Sequence, residues 1–593
     1  MPDAQTTDPV VPNDSRRDVV SFDLLVDGQP IDPGFQVLTI VVTNEVNRIP
    51  MAKIILRDGS AANQSFPISE GDAFVPGSKI EVKLGHDQHN ASVFKGAVVR
   101  QSIRAREGGD STLTVDCRDE TYRLTLGRHN RYFTDMTDSD AVSQVLSAHA
   151  GSIDATRIQH RELVQYYCTD WDFVMSRADM NGMLVLVEAG KVSWQQPSTN
   201  SASVLNLVFG GNLREFETEL DARTQIGAVN AQSWDYSTQQ PITSDGSVAG
   251  RFSEHGNLSG NNLATDAGLS AMELRHSGHI AQSELKAWAD ATITRSRLSK
   301  IRGRAKIVGF AGVVPGNCVT LAGMGARFNG KAYVTAVRHE LGGGSWYTHI
   351  QVGLSPEFFY QQYQTAEVAA AGLTPAVSGL QIGIVVKLAE DPDGEDRIRV
   401  KLPTLDNASN GIWARVAALD AGNKRGSYFR PEIGDEVIVG FINDDPRHAV
   451  VLGMLNSSKN PAPLPTKDEN HIKGFVTRSN MKVLFDDEKK SITISTPNNN
   501  SIIISDDEKS IKTTDQTGNS WKLSPDGIEI SSPKDITIKA TGSISLKATQ
   551  ALSLEGMSLK GKAQTELSLE GSAKASLKAG GQTEIKGGTV MIN

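Results

Sequence analysis

Residues 536–586 read ITIKATGSISLKATQALSLEGMSLKGKAQTELSLEGSAKASLKAGGQTEIK, and this stretch decides the fold of the C-terminal part of the chain. Short segments of alternating polar residues and Ile or Leu recur every eight residues, as at Ile536, Ile544 and Leu552, between Gly, Ala, Lys and Thr. One step, from Leu554 to Leu569, is fifteen residues and leaves one octad a residue short. Short strands at a fixed period predict a stacked β structure.

Each octad carries only about two large apolar residues, so one chain wrapped on itself would bury little. A single-chain β-helix needs about 20–25 residues per coil, close to three octads. Three chains that each supply one face per layer would complete such a coil, which predicts an intertwined trimeric prism over 481–593. An amyloid-like tail is the alternative, which the regular Lys, Glu and Gly disfavour. The predicted spike core consists of Ile536, Ile538, Ile544, Leu546, Leu552, Leu554, Leu567, Leu569, Leu577 and Ile585.

Composition narrows the class of protein. The 593 residues are 39% hydrophobic and 22% charged, with 6% aromatic residues against 54 Gly, which indicates several folded domains of many small β elements. The net charge of −9 disfavours a general nucleic-acid binder. Three distant cysteines form neither a disulfide framework nor a CxxC metal site. Without an apolar signal region at the N-terminus, we expect synthesis in the bacterial cytoplasm without a signal peptide.

Upstream of the repeat, strand-like alternation is interrupted by a few helical stretches. Helices are predicted at 138–151, at 170–181 with a capping box at Thr169 and Asp172, and at about 279–300. The predicted organisation is a disordered arm (1–18), a first hub β-barrel (19–119), an α/β module (120–203), a second hub β-barrel (204–364), a linker (365–378), an OB-like barrel (379–456), a neck (457–480) and a β-helix spike (481–593).

An internal duplication connects the two predicted hub barrels. Residues 75–82 read VPGSKIEV and residues 314–321 read VPGNCVTL, and each is followed by an F-x-G segment at 94–96 or 328–330. Pro-Gly turns before strands are common, so a chance match is the alternative. The other interpretation is two related β-barrels within one chain.

Several motifs resemble the VgrG-type central spike of contractile injection systems, an architecture that also serves as hub and spike of contractile phage tails. In the α/β module and the second hub half they are VQYYCTDWDFVMSRADMNG (164–182) and ARFNGKAYVTAVRHEL with WYTHIQVG (326–353). In the OB-like stretch they are DPDGEDRIRVKLP (391–403), IWARVA (412–417), and FRPEIGDEVIVGF with DDPRHAVVLGMLNSS (429–458). The whole order of domains from Val19 is similar as well. The matching residues are Gln165, Trp171, Phe173, Arg177, Gly182, Phe328, Gly330, His339, Trp413, Arg415, Pro431, Gly434, Asp435, Val437, Pro446 and Gly453.

The resemblance implies a mainly β protein: two hub β-barrels with an inserted α/β module, an OB-like barrel and a trimeric intertwined β-helix. It implies a homotrimer whose six barrels form a pseudo-sixfold ring that mates with a hexameric inner tube protein and baseplate proteins. A PAAR-type tip protein would sit on the blunt end at Ile585, Val590 and Ile592, and effectors could travel with it. The spike would pass transiently through the target cell envelope.

Enzymatic motifs are not visible, and only about fifteen residues (457–471) separate the OB-like barrel from the rod, too few for an enzyme domain. We therefore expect no catalytic residues, cofactor or metal. His339 and His349 are interpreted as core or interface residues, and Asp444, Asp445, Asp506 and Asp507 as turn acids. The competing functions are nucleic-acid binding by the OB-like barrel, with Trp413, Tyr428 and Phe429 as stacking aromatics, and a polysaccharide-binding or polysaccharide-cleaving β-helix.

Overall fold

The computed structural model describes residues 19–107, 109–405 and 410–592, so the predicted arm at 1–18 lies outside the described residues. By its internal contacts the chain divides into two compact units. One unit runs to Leu380 and includes Gly440–Val450, and the other consists of Gln381–Val439 and the chain from Val451 onward. The protein is mainly β, as the sequence predicts.

The first stretch of the chain folds into seven strands and one short helix. Their bounds are β1 Val20–Val26, β2 Gln29–Pro30, β3 Val37–Glu45, β4 Met51–Arg57, α1 Pro67–Glu70, β5 Lys79–His86, β6 His89–Arg104 and β7 Thr112–Arg118. Alternation along the strands buries one face of each, because successive side chains point to opposite sides. Ile40, Ile54, Leu84 and Val115 lie in the resulting core.

Two helices and five strands follow as an α/β module. They are β8 His129–Thr137, α2 Asp138–Leu146, β9 Ala150–Ile153, β10 Gln159–Cys168, α3 Asp170–Asn181, β11 Leu184–Glu188 and β12 Lys191–Gln195. The predicted capping box is confirmed, since the Asp172 amide donates to Thr169 Oγ1 over 3.0 Å. Helix α2 ends earlier than predicted, and a 3₁₀ turn at Ser147–His149 follows it.

The next stretch returns to strands around one long helix. Its elements are β13 Ser203–Val208, β14 Glu215–Leu220, β15 Ala228–Asp235, β16 Gln240–Asp245, α4 Gly260–Asp266, β17 Ala271–Arg275, α5 Gln282–Leu298, β18 Ile301–Val308, β19 Cys318–Ala322, β20 Gly330–Gly342, β21 Ser345–Val352 and α6 Phe359–Gln362. Strands β15, β16 and β17 form a small sheet of their own, which packs against α5 through Val229, Ala231 and Leu285.

The duplicated VPG segments occupy equivalent places. Gly77 donates to the Val98 carbonyl over 2.8 Å, and Gly316 donates to the Val334 carbonyl over 2.9 Å. Both glycines have a positive φ, which a side chain would strain. In chain order, β3, β4, β5, β6 and β7 therefore correspond to β14, β18, β19, β20 and β21, and the five pair in the same order, β3-β4-β7-β6-β5 and β14-β18-β21-β20-β19.

The F-x-G segments are not equivalent, contrary to the sequence alignment. Val98 lies four residues after Phe94, whereas Val334 lies six after Phe328. The reason is that the number of residues between the VPG turn and the phenylalanine differs in the two halves.

Where two hub barrels are predicted, the described strands form two units with separate cores, and these units hydrogen-bond into one sheet rather than closing as two barrels. This thirteen-stranded sheet has the order β14-β18-β21-β20-β3-β4-β7-β6-β5-β1-β2, with β19 also paired to β20 and β13 paired to β19. Strand β20 makes the join because it is long. Its first residues pair with β19, and its later residues pair with β21 on one side and β3 on the other.

The OB-like stretch is a closed five-stranded barrel, β22-β23-β24-β28-β27. Its interior is lined by alternating strand residues such as Ile398, Val400, Ala414, Val437 and Val451, all fully buried. The bounds are β22 Gln381–Lys387, β23 Ile398–Lys401, β24 Ile412–Val416, β25 Ala421–Gly422, β26 Arg425–Gly426, β27 Glu436–Phe441 and β28 Ala449–Met454.

A seven-stranded antiparallel meander follows the barrel, and each strand pairs with the next along the chain. It starts inside the stretch predicted as a neck. Its strands are β29 Ile472–Val476, β30 Lys482–Asp486, β31 Ser491–Ser495, β32 Ser501–Ser505, β33 Ser510–Thr514, β34 Ser520–Ser524 and β35 Gly527–Ser531.

The octads differ from the expectation of short strands. Residues 536–592, all of them described, contain no helix and no strand in the single chain. With two apolar residues per octad, such a segment has too little to bury against itself, and its backbone groups find no strand partner within one copy. Among the described helices of the whole chain, none is both long enough and apolar enough to span a bilayer.

Candidate assembly site

Gln165 anchors the start of helix α3. The side chain is fully buried, and its amide donates to Asp170 Oδ1 over 2.8 Å and to the Cys168 carbonyl over 3.3 Å. Arg131 donates to Gln165 Oε1 over 2.7 Å and also pairs with Asp170. A carboxylate in the first turn of a helix is further stabilised by the helix dipole. The motif glutamine is therefore a structural link between β10 and α3.

Arg177 belongs to a second network, around a buried carboxylate. Asp138 accepts hydrogen bonds from Arg177 Nε, from His160 Nε2 at 3.0 Å and from Asn181 Nδ2 at 3.0 Å. Burial by itself would raise the pKa of Asp138, but the bonds from His160 and Arg177 outweigh it and hold this pKa well below the ordinary range. Arg177 also approaches Glu284 of helix α5 at 3.8 Å.

Helix α3 packs through its motif aromatics. Trp171 and Phe173 are buried, and the Phe173 ring stacks on Phe133 with centroids 5.3 Å apart. Gly182 ends the helix with φ +64°, and a Cβ there would come within 3.1 Å of Ala291 Cα on helix α5. The five motif residues of this module therefore fix α3 between the β8–β10 pair and α5.

The three motif residues of the second hub half lie apart. Phe328 lines an open pocket of about 610 Å³ beside the edge strand β14, with Phe209, Leu213 and Met324. Gly330 begins β20. His339 is buried, pairs with Thr348 Oγ1 at 3.0 Å and borders a partly open pocket of about 260 Å³. Burial, with the neighbouring His349, lowers the pKa of His339 to about 3, so the ring is a neutral core residue.

The OB-like motif residues form a turn and part of the barrel wall. Glu432 donates its amide to Asp435 Oδ2 over 2.8 Å, and the Gly434 amide donates to the Val385 carbonyl over 2.8 Å. Pro431, before this turn, and Val437, just after it, are buried. Trp413 is half-buried beneath the Arg399 guanidinium, which lies 5.7 Å from the ring centroid, and Arg415 is exposed.

Pro446 precedes the last barrel strand, β28, and Gly453 lies within it. Pro446 lies between Asp445 and Arg447, which form a two-pronged ion pair, with Nη2 to Oδ2 at 2.6 Å. Hydrogen bonds from the Arg447 side chain and amide lower the pKa of Asp445 to about 2. Gly453 is half-buried within β28. The predicted stacking aromatics beside this region already have partners, since Arg430 covers Tyr428 and Phe429 stacks on Phe475 at 5.1 Å.

The meander has one face that is almost wholly apolar and uncovered. Cross-strand pairs such as Phe485 with Ile492, Ile494 with Ile502, and Trp521 with Ile530 place these side chains on the same side. The opposite face carries mainly Ser, Thr, Lys and Glu. Residues on the apolar face are 37–70% exposed: Phe475, Phe485, Ile492, Ile494, Ile502, Ile504, Ile511, Trp521, Ile528 and Ile530. The sequence shows their alternation, but the predicted spike core starts only at Ile536.

Every predicted spike-core residue is exposed in the single chain. The fraction rises from about half for Ile544 to 86% for Leu569, and the predicted tip residues Ile585, Val590 and Ile592 are also exposed. The structure therefore does not bring the octads together within one copy. Within the part of the chain that the structure describes, no three His, Cys, Asp or Glu side chains gather as metal ligands would.

Two family models match the sequence. Residues 16–342 match the Alg8 N-terminal domain, and residues 381–455 match the type VI secretion system/phage-baseplate injector OB domain. The first match covers more than half of the chain and includes the first hub half, the α/β module and the second hub half up to the end of β20. The second coincides with the closed barrel.

Named relatives are also found. The chain is 24% identical over 443 residues to the type VI secretion system spike protein VgrG1b of Pseudomonas aeruginosa PAO1, covering 68% of this chain and 56% of that protein. VgrG1a of the same strain is 23% identical, with 65% and 63% covered. The chain thus spans between half and two thirds of the length of these two relatives. A prophage MuSo2 43 kDa tail protein of Shewanella oneidensis overlaps 57% of this chain and 98% of its own, at 14% identity and a TM-score of 0.44.

Proposed function

Because this chain belongs to the family of the Alg8 N-terminal domain and carries an injector-type OB domain, we propose that it is the structural hub and spike at the tip of a contractile injection machine. In this role the chain is a homotrimer that joins a hexameric inner tube to a rigid needle. It contributes shape and docking surfaces, while other proteins of the machine supply the contraction that drives it through a target envelope.

The observation that carries the proposal is the uncovered apolar face of the meander. Ten large apolar side chains lie on one side of seven strands, far more than a soluble monomer leaves as one contiguous surface. Covering a half-exposed Ile, Phe or Trp stabilises by about 1 kcal/mol or more. Three copies of this face turned inward form a closed prism whose core is these residues.

The octads extend the same argument to the end of the rod. Residues 536–592 form no strand alone, and their Ile and Leu residues recur every eight positions. Strand pairing between three copies would satisfy the backbone and bury both apolar residues of each octad. This supports a rod whose upper part is built from complete single-chain sheets and whose lower part requires all three chains.

The proposed partners follow from the two ends of such a trimer. Two similar strand units per chain give six in the homotrimer, which suits a hexameric inner tube protein and the surrounding baseplate proteins. At the other end, Ile585, Val590 and Ile592 of three chains form an apolar platform for a PAAR-type tip protein, with or without effectors. The chain is made in the bacterial cytoplasm and delivered as part of the assembled particle.

The test is made in cells that encode the chain. The natural chain is replaced by a variant with Leu546→Asp and Leu569→Asp, and sheathed particles are isolated and imaged. We expect particles that lack the central spike, because a charge in each of two layers opens the rod core. The matched control is Ser545→Asp with Ser568→Asp, on the opposite face of the strands proposed for the trimer, which should leave the spike in place. Unchanged spikes in the leucine variant would contradict the proposal.

A further inference from the structure

Each half of the hub sheet has an open strand edge among the described residues. Strand β14 has β18 as its one partner there, and it ends the thirteen-stranded sheet. The later part of β6, Arg100–Arg104, pairs with β7 on one side and has no strand on its other side within the described chain. Open edges of this kind are ready to accept another strand. Ile103 on the β6 edge is 54% exposed, and the open apolar pocket that contains Phe216 and Phe328 lies beside the β14 edge.

The internal duplication shows what belongs at these edges. Strand β3 corresponds to β14, and β20 corresponds to β6. Within the chain β3 pairs antiparallel with β20, and this contact joins the two halves. The equivalent contact, β14 with β6, is not made within one copy. We propose that β14 of one copy pairs with β6 of a second copy, so that the junction between the halves is repeated between subunits around the ring.

The register of this pairing follows from the hydrogen bonds of the two halves. Val98 corresponds to Val334, since each exchanges hydrogen bonds with its VPG turn. From Val98, the paired residues on β7 and then β4 lead to Val42 of β3. From Val334, the paired residues on β21 and then β18 lead to Thr218 of β14, so Val42 corresponds to Thr218. In the chain Val42 lies opposite His339, five residues after Val334. The same step from Val98 reaches Ile103, so Thr218 faces Ile103 of the second copy.

In this register, acidic residues of the β14 edge lie opposite arginines of the β6 edge. Glu217 falls opposite Arg104 and Glu215 opposite Arg106, while Asp221 falls opposite Arg100. Within the chain, the Val46 amide donates to the Thr335 carbonyl over 2.8 Å, so these two residues form a hydrogen-bonded pair of the β3–β20 ladder. Hydrogen-bonded and non-hydrogen-bonded pairs alternate along such a ladder. By correspondence, the three charge pairs lie at non-hydrogen-bonded positions, where side chains approach most closely. The register depends on backbone hydrogen bonds alone, so the match between the arginines of one edge and the acids of the other is an independent reason to assign a second copy of this chain as the partner.

The pairing is heterologous, because each copy offers a β14 edge to one neighbour and a β6 edge to the other. Such contacts generate rings when the rotation closes. The inference rests on the proposed homotrimer. Three contacts within chains and three between chains would then alternate around the hub, and the two kinds are geometrically alike.

A disulfide across the predicted contact tests the register in the full chain. Ser102 and Glu219 face each other at a close position, so Ser102→Cys with Glu219→Cys should give covalent dimers and trimers after mild oxidation on a non-reducing gel. The matched control, Ser102→Cys with Glu215→Cys, is four residues out of register, roughly 13 Å along the strand. That separation exceeds the reach of a disulfide. The natural cysteines Cys117, Cys168 and Cys318 are present in all variants, and the natural chain gives the background.

Light scattering on the same samples separates the possible failures. A trimer with cross-links in the first variant and not in the control supports the pairing. A trimer without them, or with equal cross-linking in both, overturns the pairing and leaves the homotrimer standing. A monomeric natural chain overturns both. In the cross-linking background, Arg104→Glu should lower the yield several-fold and Glu217→Arg in the same chain should restore it. No recovery would contradict the charge match.

Discussion

Asp138 shows how single residues hold the α/β module together. The sequence motif points to Arg177, Gln165 and the aromatics of α3, and these residues lie where a structural role requires them. Their partners Asp138 and Arg131 could not be identified from sequence, because Asp138 of α2 is 39 residues from Arg177 and Arg131 of β8 is 34 residues from Gln165. Only the folded chain brings an isolated acid next to a particular base, and no local pattern records that approach.

Replacing Asp138 by Asn should destabilise the hub strongly. The change leaves Arg177 and His160 without their buried anionic partner, and breaking such a pair costs about 3–5 kcal/mol. The free energy of unfolding from urea titration measures it. Asp140→Asn, an exposed carboxylate in the first turn of the same helix, is the control and should cost less than about 1 kcal/mol.

The difference in the free energy of unfolding between the natural chain and Asp138→Asn should depend on pH, and its sign follows from the pKa of Asp138. The pKa of Asp138 is lower in the folded chain than the unfolded value of about 3.9. Its contribution is therefore complete above that value and is lost as the pH falls below it. The stability gap between the natural chain and Asp138→Asn should be large at pH 5 and shrink below about pH 4. A gap that is small throughout would show that the network does not stabilise the fold.

The meander shows what periodicity predicts at the scale of elements and what it leaves open. Alternating Ile and Ser residues at 491–505 indicate strands with one apolar face, and the structure has those strands. Alternation does not say whether a strand pairs with its neighbour in the chain or with another copy. Tight turns such as the one at Asp506–Lys509 bring consecutive strands side by side, so these strands pair within the chain. The octads have the same alternation, yet form no strand within one chain.

One strand of the meander offers a paired test of its two faces. Ile494→Asp places a charge on the apolar face and should dissociate the trimer or lower its thermal stability markedly, because three copies of the charge would meet in the core. Thr493→Asp, the preceding residue on the opposite face, should leave mass and melting temperature nearly unchanged. Equal behaviour of the two variants in light scattering and thermal melts would show that the apolar face is not covered by other copies.

At the scale of the whole molecule, the sequence predicts the order of the parts better than their connections. The β class, the three main helices, the closed barrel and the duplication are all readable, because each depends on local pattern. The joining of both hub halves into one sheet is not, since it depends on β20 being long enough to serve β19, β21 and β3 in turn. The small sheet on helix α5 likewise carries no distinctive motif.

The central claim is that three copies assemble into a ring with a needle. The most direct test is the solution mass of the purified full-length chain by light scattering, with negative-stain imaging of the same sample. We predict a mass three times 63.8 kDa and a wide ring that bears a thin rod. A compact monomer with no rod would contradict the account, because the apolar face of the meander would then have to remain in water.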